Sequence, residues 1–182
     1  MRTDTGFERI VTDRLVLRRS RSEDAETISA YRSDPEVHRQ QGWERTDPES
    51  VRADIEEMAT RIPGEPGGWV QFSLEDRDGR LVGDVGISPA DGEPGVLKVG
   101  YTVSPAFQGR GYATEAVRAL VDYAFRTLGA DVVRAYASAD NVPSIRVAEN
   151  VGMTLVERFT GHDEDGEWSG VRYERRRDDP GR

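Results

Sequence analysis

Between Ala113 and Leu128, apolar residues recur at Ala113, Ala116, Val117, Leu120, Val121, Ala124, Phe125 and Leu128. These steps of three and one place one stripe on one side of a helix, and Gly129 supplies its stop. Upstream the period shortens to two. Thr12-Asp13-Arg14-Leu15-Val16-Leu17-Arg18 alternates and reads as the first strand. Ser22-Glu23-Asp24 starts a helix that faces the core through Ala25, Ile28 and Tyr31 and ends before Pro35. Asp34-Pro35-Glu36-Val37 opens a connecting stretch reaching Trp43. A second helix follows Asp47-Pro48, with the stripe Val51, Ile55, Met58 and Ile62.

After the loop Pro63 to Gly68, Trp69 to Glu75 and Arg80 to Ser88 form a hairpin turning at Asp78-Gly79. Val96 to Val103 is the next strand, feeding the striped helix, and Val132 to Ala137 follows that helix. Pro143 opens a short helix that stops near Gly152. Thr154 to His162 and Trp168 to Glu174 form a last hairpin turning at Asp165-Gly166, and Arg175 to Arg182 is too polar to pack and reads as a frayed tail. Hairpins mixed with helical crossovers predict an α/β fold, a mixed central sheet of about seven strands flanked by four helices. The 182 residues suit one domain with its core over about 12–174.

Composition narrows the chemistry. With no cysteine there is no disulfide framework and no thiol nucleophile, and two histidines, His38 and His162, disfavour a zinc centre. No apolar run approaches the ~18 residues of a membrane span, and the first residues lack signal-peptide features, so a cytoplasmic protein without membrane partner is expected. The net charge of −9 disfavours nucleic acid and suits cationic substrates.

The stretch Gln108-Gly109-Arg110-Gly111-Tyr112-Ala113-Thr114 joins a strand to the start of the striped helix. The first amides of a helix have no partner within it, and the dipole adds roughly half a positive charge there, so an anion fits. Gly109 and Gly111 let the main chain approach a phosphate closely, and Arg110 adds a cation. The Lys-Ser/Thr of a P-loop is absent, and Thr114 stands where a dinucleotide fingerprint needs a third small residue. The pattern Gln/Arg-x-x-Gly-x-Gly/Ala fits Gln108, Gly111 and Ala113. About thirty residues on comes Ser138-Ala139-Asp140-Asn141-Val142-Pro143-Ser144, followed by Asn150-Val151-Gly152-Met153.

These two segments, in this order and spacing, resemble the pyrophosphate loop and the segment after the fifth strand of the GNAT superfamily of acetyltransferases. Thr12-x-Arg14-Leu15-x-Leu17-Arg18 and Asp34-Pro35-Glu36-Val37 are similar to the branch containing ribosomal-protein N-terminal acetyltransferases, and the resemblance covers roughly Thr12 to Tyr173. It implies the GNAT fold, with the fourth and fifth strands splayed around acetyl-CoA, and an N-acetyltransferase acting on a small amine or a peptide N-terminus. The branch often forms homodimers, which are expected here too.

The resemblance also implies roles. Amides from Arg110 to Thr114 would hold the pyrophosphate, the Val103 backbone would pair with pantetheine, Asn141 would bond to that arm, and Ser144 would lie near the sulfur. Capping explains Asn141 equally well, and a serine in a first helical turn needs no catalytic reason. Many members carry a tyrosine where Ala148 stands, as the acid that protonates the leaving thiolate, which leaves Ser144 or water. Lys98 replaces a glutamate common in the branch. Asp84 is then the leading candidate base, with Glu36 and His162 behind it, and Tyr31 and Trp43 are candidates to line the acceptor pocket. A non-catalytic acyl-CoA sensor and a nucleotide-binding domain are the rival readings.

Overall fold

The computed structural model describes residues 1–41, 43, 45–163 and 166–179. Eight strands form one sheet: β1 (Arg9–Val11), β2 (Leu15–Arg19), β3 (Val70–Asp76), β4 (Leu81–Pro89), β5 (Val96–Val103), β6 (Val132–Ser138), β7 (Thr154–Asp163) and β8 (Gly166–Arg176). The helices are α1 (Ala25–Arg32), α2 (Pro35–Gln41), α3 (Pro48–Ala59), α4 (Tyr112–Arg126) and α5 (Val142–Asn150). The spatial order is β1-β2-β3-β4-β5-β6-β8-β7, antiparallel throughout the described residues except between β5 and β6. A mixed α/β sheet is what the alternation of hairpins and crossovers predicts. None of the described helices is long and apolar enough to cross a membrane.

The amphipathic helix behaves as its stripe requires. Ala116, Val117, Leu120, Val121 and Ala124 are buried against Leu17, Phe72, Leu74, Val85, Ile87 and Val99 of the sheet. On the other face Ala25, Ile28 and Tyr31 of α1 close on Val51 and Ile55 of α3. Strand alternation on β4 divides these layers, since Val85 joins the α4 core while Asp84 reaches Tyr31 of α1.

Four departures from the sequence reading have local causes. The first long strand starts at Leu15 rather than Thr12, because the Thr12 amide donates to the Leu15 carbonyl and the Leu15 amide to Thr12 Oγ1, closing a turn. The additional strand β1 pairs through its backbone with Val16–Arg18. The stretch after Asp34 is the helix α2, capped by Asp34, whose Oδ1 accepts from the amides of Glu36 and Val37, with Pro35 leading. Finally, β8 runs to Arg176, and Arg177 donates to the carbonyls of Gly129 and Ala130, so Arg175, Arg176 and Arg177 belong to the fold where the polarity predicts a tail, whose last residues, 180–182, lie outside the described ones.

The sheet forks where its sole parallel ladder among the described residues ends. β5 and β6 pair only over Val96–Val99 with Val132–Ala135, while β6 continues alongside β8 through Ser138. The β6-facing edge of β5 is therefore open from Gly100 to Val103. The outward carbonyls of Tyr101 and Val103 accept instead from the side-chain amides of Gln41 and Gln108, each at 3.0 Å.

Candidate active site

At the mouth of this fork lies a cleft of about 630 Å³, walled by the end of β5, the glycine loop with the first turn of α4, the first turn of α5, and α2 as a roof. The loop needs its glycines. Gly109 and Gly111 sit at φ 74° and 80°, the left-handed region that residues with a Cβ resist. Glu115 is the first residue of α4 to donate back, to the Gly111 carbonyl, so the amides of Tyr112, Ala113 and Thr114 lack helical acceptors.

A clamp from the N-terminal turn fixes that loop. Glu115 accepts from Thr12 Oγ1 at 2.7 Å, from the Arg14 amide at 2.8 Å and from Arg14 Nε at 2.6 Å, while Arg14 Nη1 donates to the Arg110 carbonyl at 2.8 Å. Arg14 also stacks over Tyr112. Burial alone would raise the Glu115 carboxyl, but the donors from Thr12 and Arg14 outweigh it and hold it below its ordinary value. Thr12 and Arg14 thus act on the loop's position, about a hundred residues away in sequence.

Across the cleft, Asn141 caps α5 by accepting the Ser144 amide at 3.1 Å. Ser144 faces Tyr101 of β5, whose hydroxyl lies 2.9 Å from both the carbonyl oxygen and Oγ of Ser144. Burial pushes the Tyr101 phenol up to about 12. Above them Arg39 of α2 joins Glu36 at 2.8 Å to Asp140 at 3.2 Å, tying the roof to the opposite wall.

The fork thus gathers Val103, Gln108, Gly109, Gly111, Tyr112, Ala113, Thr114, Asn141, Ser144 and Glu36 around one cleft. Other candidates lie elsewhere. Arg110 does not line it, since its guanidinium turns back to the Ala106 carbonyl and over the Phe107 ring. Asp84 is buried on the α1 side, where Tyr31 donates to it and Arg32 pairs with it at 3.5 Å. Burial raises the Asp84 carboxyl above its ordinary range despite Arg32, and raises the Tyr31 phenol as well. Trp43 joins this cluster through the Arg32 guanidinium, 4.4 Å above its ring. These three candidates are therefore linked through Arg32 and Asp84 and are not among the cleft-lining residues. His162 is exposed on β7, opposite Glu167.

Sequence reasoning missed Tyr101, Gln41 and Arg39. Strand alternation could have placed Tyr101 on the face of Val99 and Val103, but the reach to Ser144 depends on the fork. The α2 residues were hidden by the reading of that segment as a connection.

Comparison with known proteins supplies a lineage. Residues 14–154 match the family described as "Acetyltransferase (GNAT) domain". The chain is 31% identical over 146 residues to the uncharacterized N-acetyltransferase p20 of Bacillus licheniformis, covering 80% of this chain and 82% of that protein. It superposes on a GNAT-family acetyltransferase from Bacillus anthracis with a TM-score of 0.83 at 23% identity, over 94% of this chain and 99% of that one. Mycobacterium smegmatis RimJ, solved with CoA-disulfide, aligns with a TM-score of 0.80 at 22% identity, over 97% and 90% of the two chains.

Proposed function

Because the chain belongs to the GNAT acetyltransferase family, we propose that its cleft takes acetyl-CoA and passes the acetyl group directly to a primary amine, carried by a cationic small molecule or a protein N-terminus. One observation carries this reading: free helix-start amides at Tyr112–Thr114 and the open edge of β5 meet in one cleft with Ser144. The two halves suit the two ends of one ligand. A pyrophosphate fits amides approached over glycines, and an extended amide-bearing arm fits a strand edge that no neighbouring strand pairs beyond Val99. A Cβ built at Gly109 would meet nothing within 4 Å, so that side of the loop is clear for an anion.

Bound acetyl-CoA supplies an activated acyl group as its thioester. The chain's own groups position and polarise. The Tyr112–Thr114 amides and the α4 dipole offset the pyrophosphate charge. The backbone of Tyr101 and Val103 sets how deep the arm lies, and backbone N–H at this edge stabilises charge developing on the reacting oxygen. Ser144 Oγ offers a proton to the leaving sulfur. An acceptor arriving as an ammonium must first lose a proton, and Glu36 is the candidate carboxylate that the cleft wall retains. The overall charge of −9 favours a cationic acceptor.

The test is thiol release from acetyl-CoA in the presence of peptides, polyamines or aminoglycosides, with products weighed by mass spectrometry. A basic amine gaining one acetyl group is the expected result. A protein that neither binds CoA nor releases thiol with any acceptor would sink the proposal.

A further inference from the structure

The Tyr101 hydroxyl has a single proton and two neighbours at 2.9 Å, the carbonyl oxygen and Oγ of Ser144. A carbonyl only accepts, whereas a serine hydroxyl both donates and accepts. Two arrangements follow. If Tyr101 donates to the carbonyl, its oxygen is left to accept from Ser144 Oγ–H, which draws the serine proton back toward the phenol. If Tyr101 donates to Oγ, the serine proton is released toward the cleft. Which acceptor the tyrosine chooses thus decides where the serine proton points.

We propose that Tyr101 is the positioning residue for Ser144, donating to its Oγ so that the serine proton is aimed at the departing sulfur. The assignment rests on the acetyl-transfer reading above. Its geometry is fixed from two sides, at an open strand edge. Asn141 holds the Ser144 amide at the start of α5, Gln41 holds the Tyr101 carbonyl, and Tyr101 lies on the open part of β5 where a ligand arm would pair. One turn further along α5 stands Ala148, buried and without a hydroxyl, so that position offers no competing hydroxyl.

In the step, the amine nitrogen forms a bond to the acyl carbon and the carbon–sulfur bond breaks with its electron pair going to sulfur. Ser144 gives its proton to that sulfur. The proton shed by the nitrogen returns to Ser144 Oγ through water in the cleft, and the hydrogen bond from Tyr101 stabilises the charge that builds on Oγ meanwhile. Tyr101 keeps its own proton throughout, in keeping with a phenol that burial holds near 12.

Tyr101→Phe keeps the ring and removes the hydroxyl. Loss of a hydrogen bond to a charged oxygen predicts a fall in kcat of about tenfold or more, with KM for acetyl-CoA and CoA affinity by calorimetry within about twofold. Because Tyr101 acts through Ser144, the double variant with Ser144→Ala should be no slower than Ser144→Ala alone. A second readout needs no turnover. In ligand-free protein with ζ-13C tyrosine, the resonance assigned to Tyr101 by its loss in Tyr101→Phe should move in Ser144→Ala. A Tyr101→Phe protein at the wild-type rate, losses that add in the double variant, or an unmoved resonance would each overturn this assignment alone. Wild-type protein that turns over no acetyl-CoA would overturn the acetyl-transfer reading and this one with it.

Discussion

Gly109 and Gly79 have almost the same backbone, φ 74° and 75°, and a Cβ on either would meet nothing within 4 Å. One lies in the cleft loop and the other in the β3–β4 turn, outside the cleft lining. Replacing either with alanine forces a side chain into the left-handed region, at about 1–2 kcal/mol. For a chain of this size that lowers Tm by about 2–8 °C, and the two variants should match. Only Gly109→Ala puts a methyl where the pyrophosphate would approach the α4 amides. Loss of one charge-assisted N–H···O bond, about 1.5–3 kcal/mol, weakens CoA roughly 10- to 150-fold. Calorimetric titration of CoA into both variants, with melting curves alongside, reads the two effects separately. Equal Kd for Gly109→Ala and wild type, or an equal loss in Gly79→Ala, would refute the placement of the anion.

Glu115→Ala frees Thr12 and Arg14 from the loop and should cost about 1–3 kcal/mol, an allowance that discounts the half-exposed Arg14; urea unfolding and a raised Kd for CoA check it. Asp24 is buried, accepts two bonds from Arg18 at 2.7 and 2.8 Å, and also accepts from Ser73 and the Arg21 amide. Burial pushes its carboxyl up, but these donors outweigh it and leave the folded-state pKa depressed. Its stabilisation is therefore present above the ordinary value of 3.8 and lost as pH falls through the lower folded value, so Asp24→Asn should flatten the acid limb of a stability-against-pH curve. At neutral pH the same change should cost about 1–3 kcal/mol, because it removes the carboxylate that the Arg18 guanidinium meets twice and leaves Glu75 as its remaining carboxylate. With a polyamine acceptor, kcat/KM should fall as ionic strength rises to physiological, where the screening length is about 8 Å; a rate flat in salt would remove the charge argument for a cationic acceptor.

What the sequence disclosed depended on how many residues carried each signal. The α4 stripe repeats over four turns and the glycine loop adjoins it, so helix and loop were both legible. α2 has Val37 as its one buried residue, which leaves no period to detect. The three residues of β1 join the sheet through backbone pairing that side-chain alternation does not reveal. Asp84 stood out as a carboxylate in an apolar strand, and the structure explains it by Tyr31 and Arg32, contacts made by a helix some fifty residues earlier. Its place between the glycines makes Arg110 look like a cation for phosphate, but side-chain direction there is set by the Ala106 carbonyl and Phe107 ring. Tyr101 and Ser144 are 43 positions apart, and their meeting is a property of the fork.

The two glutamines on the open edge of β5 change what binding can gain there. Gln41 and Gln108 already occupy the outward carbonyls of Tyr101 and Val103, so an arriving arm trades one amide for another at those two atoms. An even trade adds little to affinity, yet a ligand that displaces the amides without replacing them leaves acceptors stranded, at about 1–3 kcal/mol each. On the acetyl-CoA reading proposed above, the strand edge would act as a filter against arms without correctly spaced amide donors. Between visits the same two side chains blunt an edge that would otherwise be a template for pairing with a foreign strand.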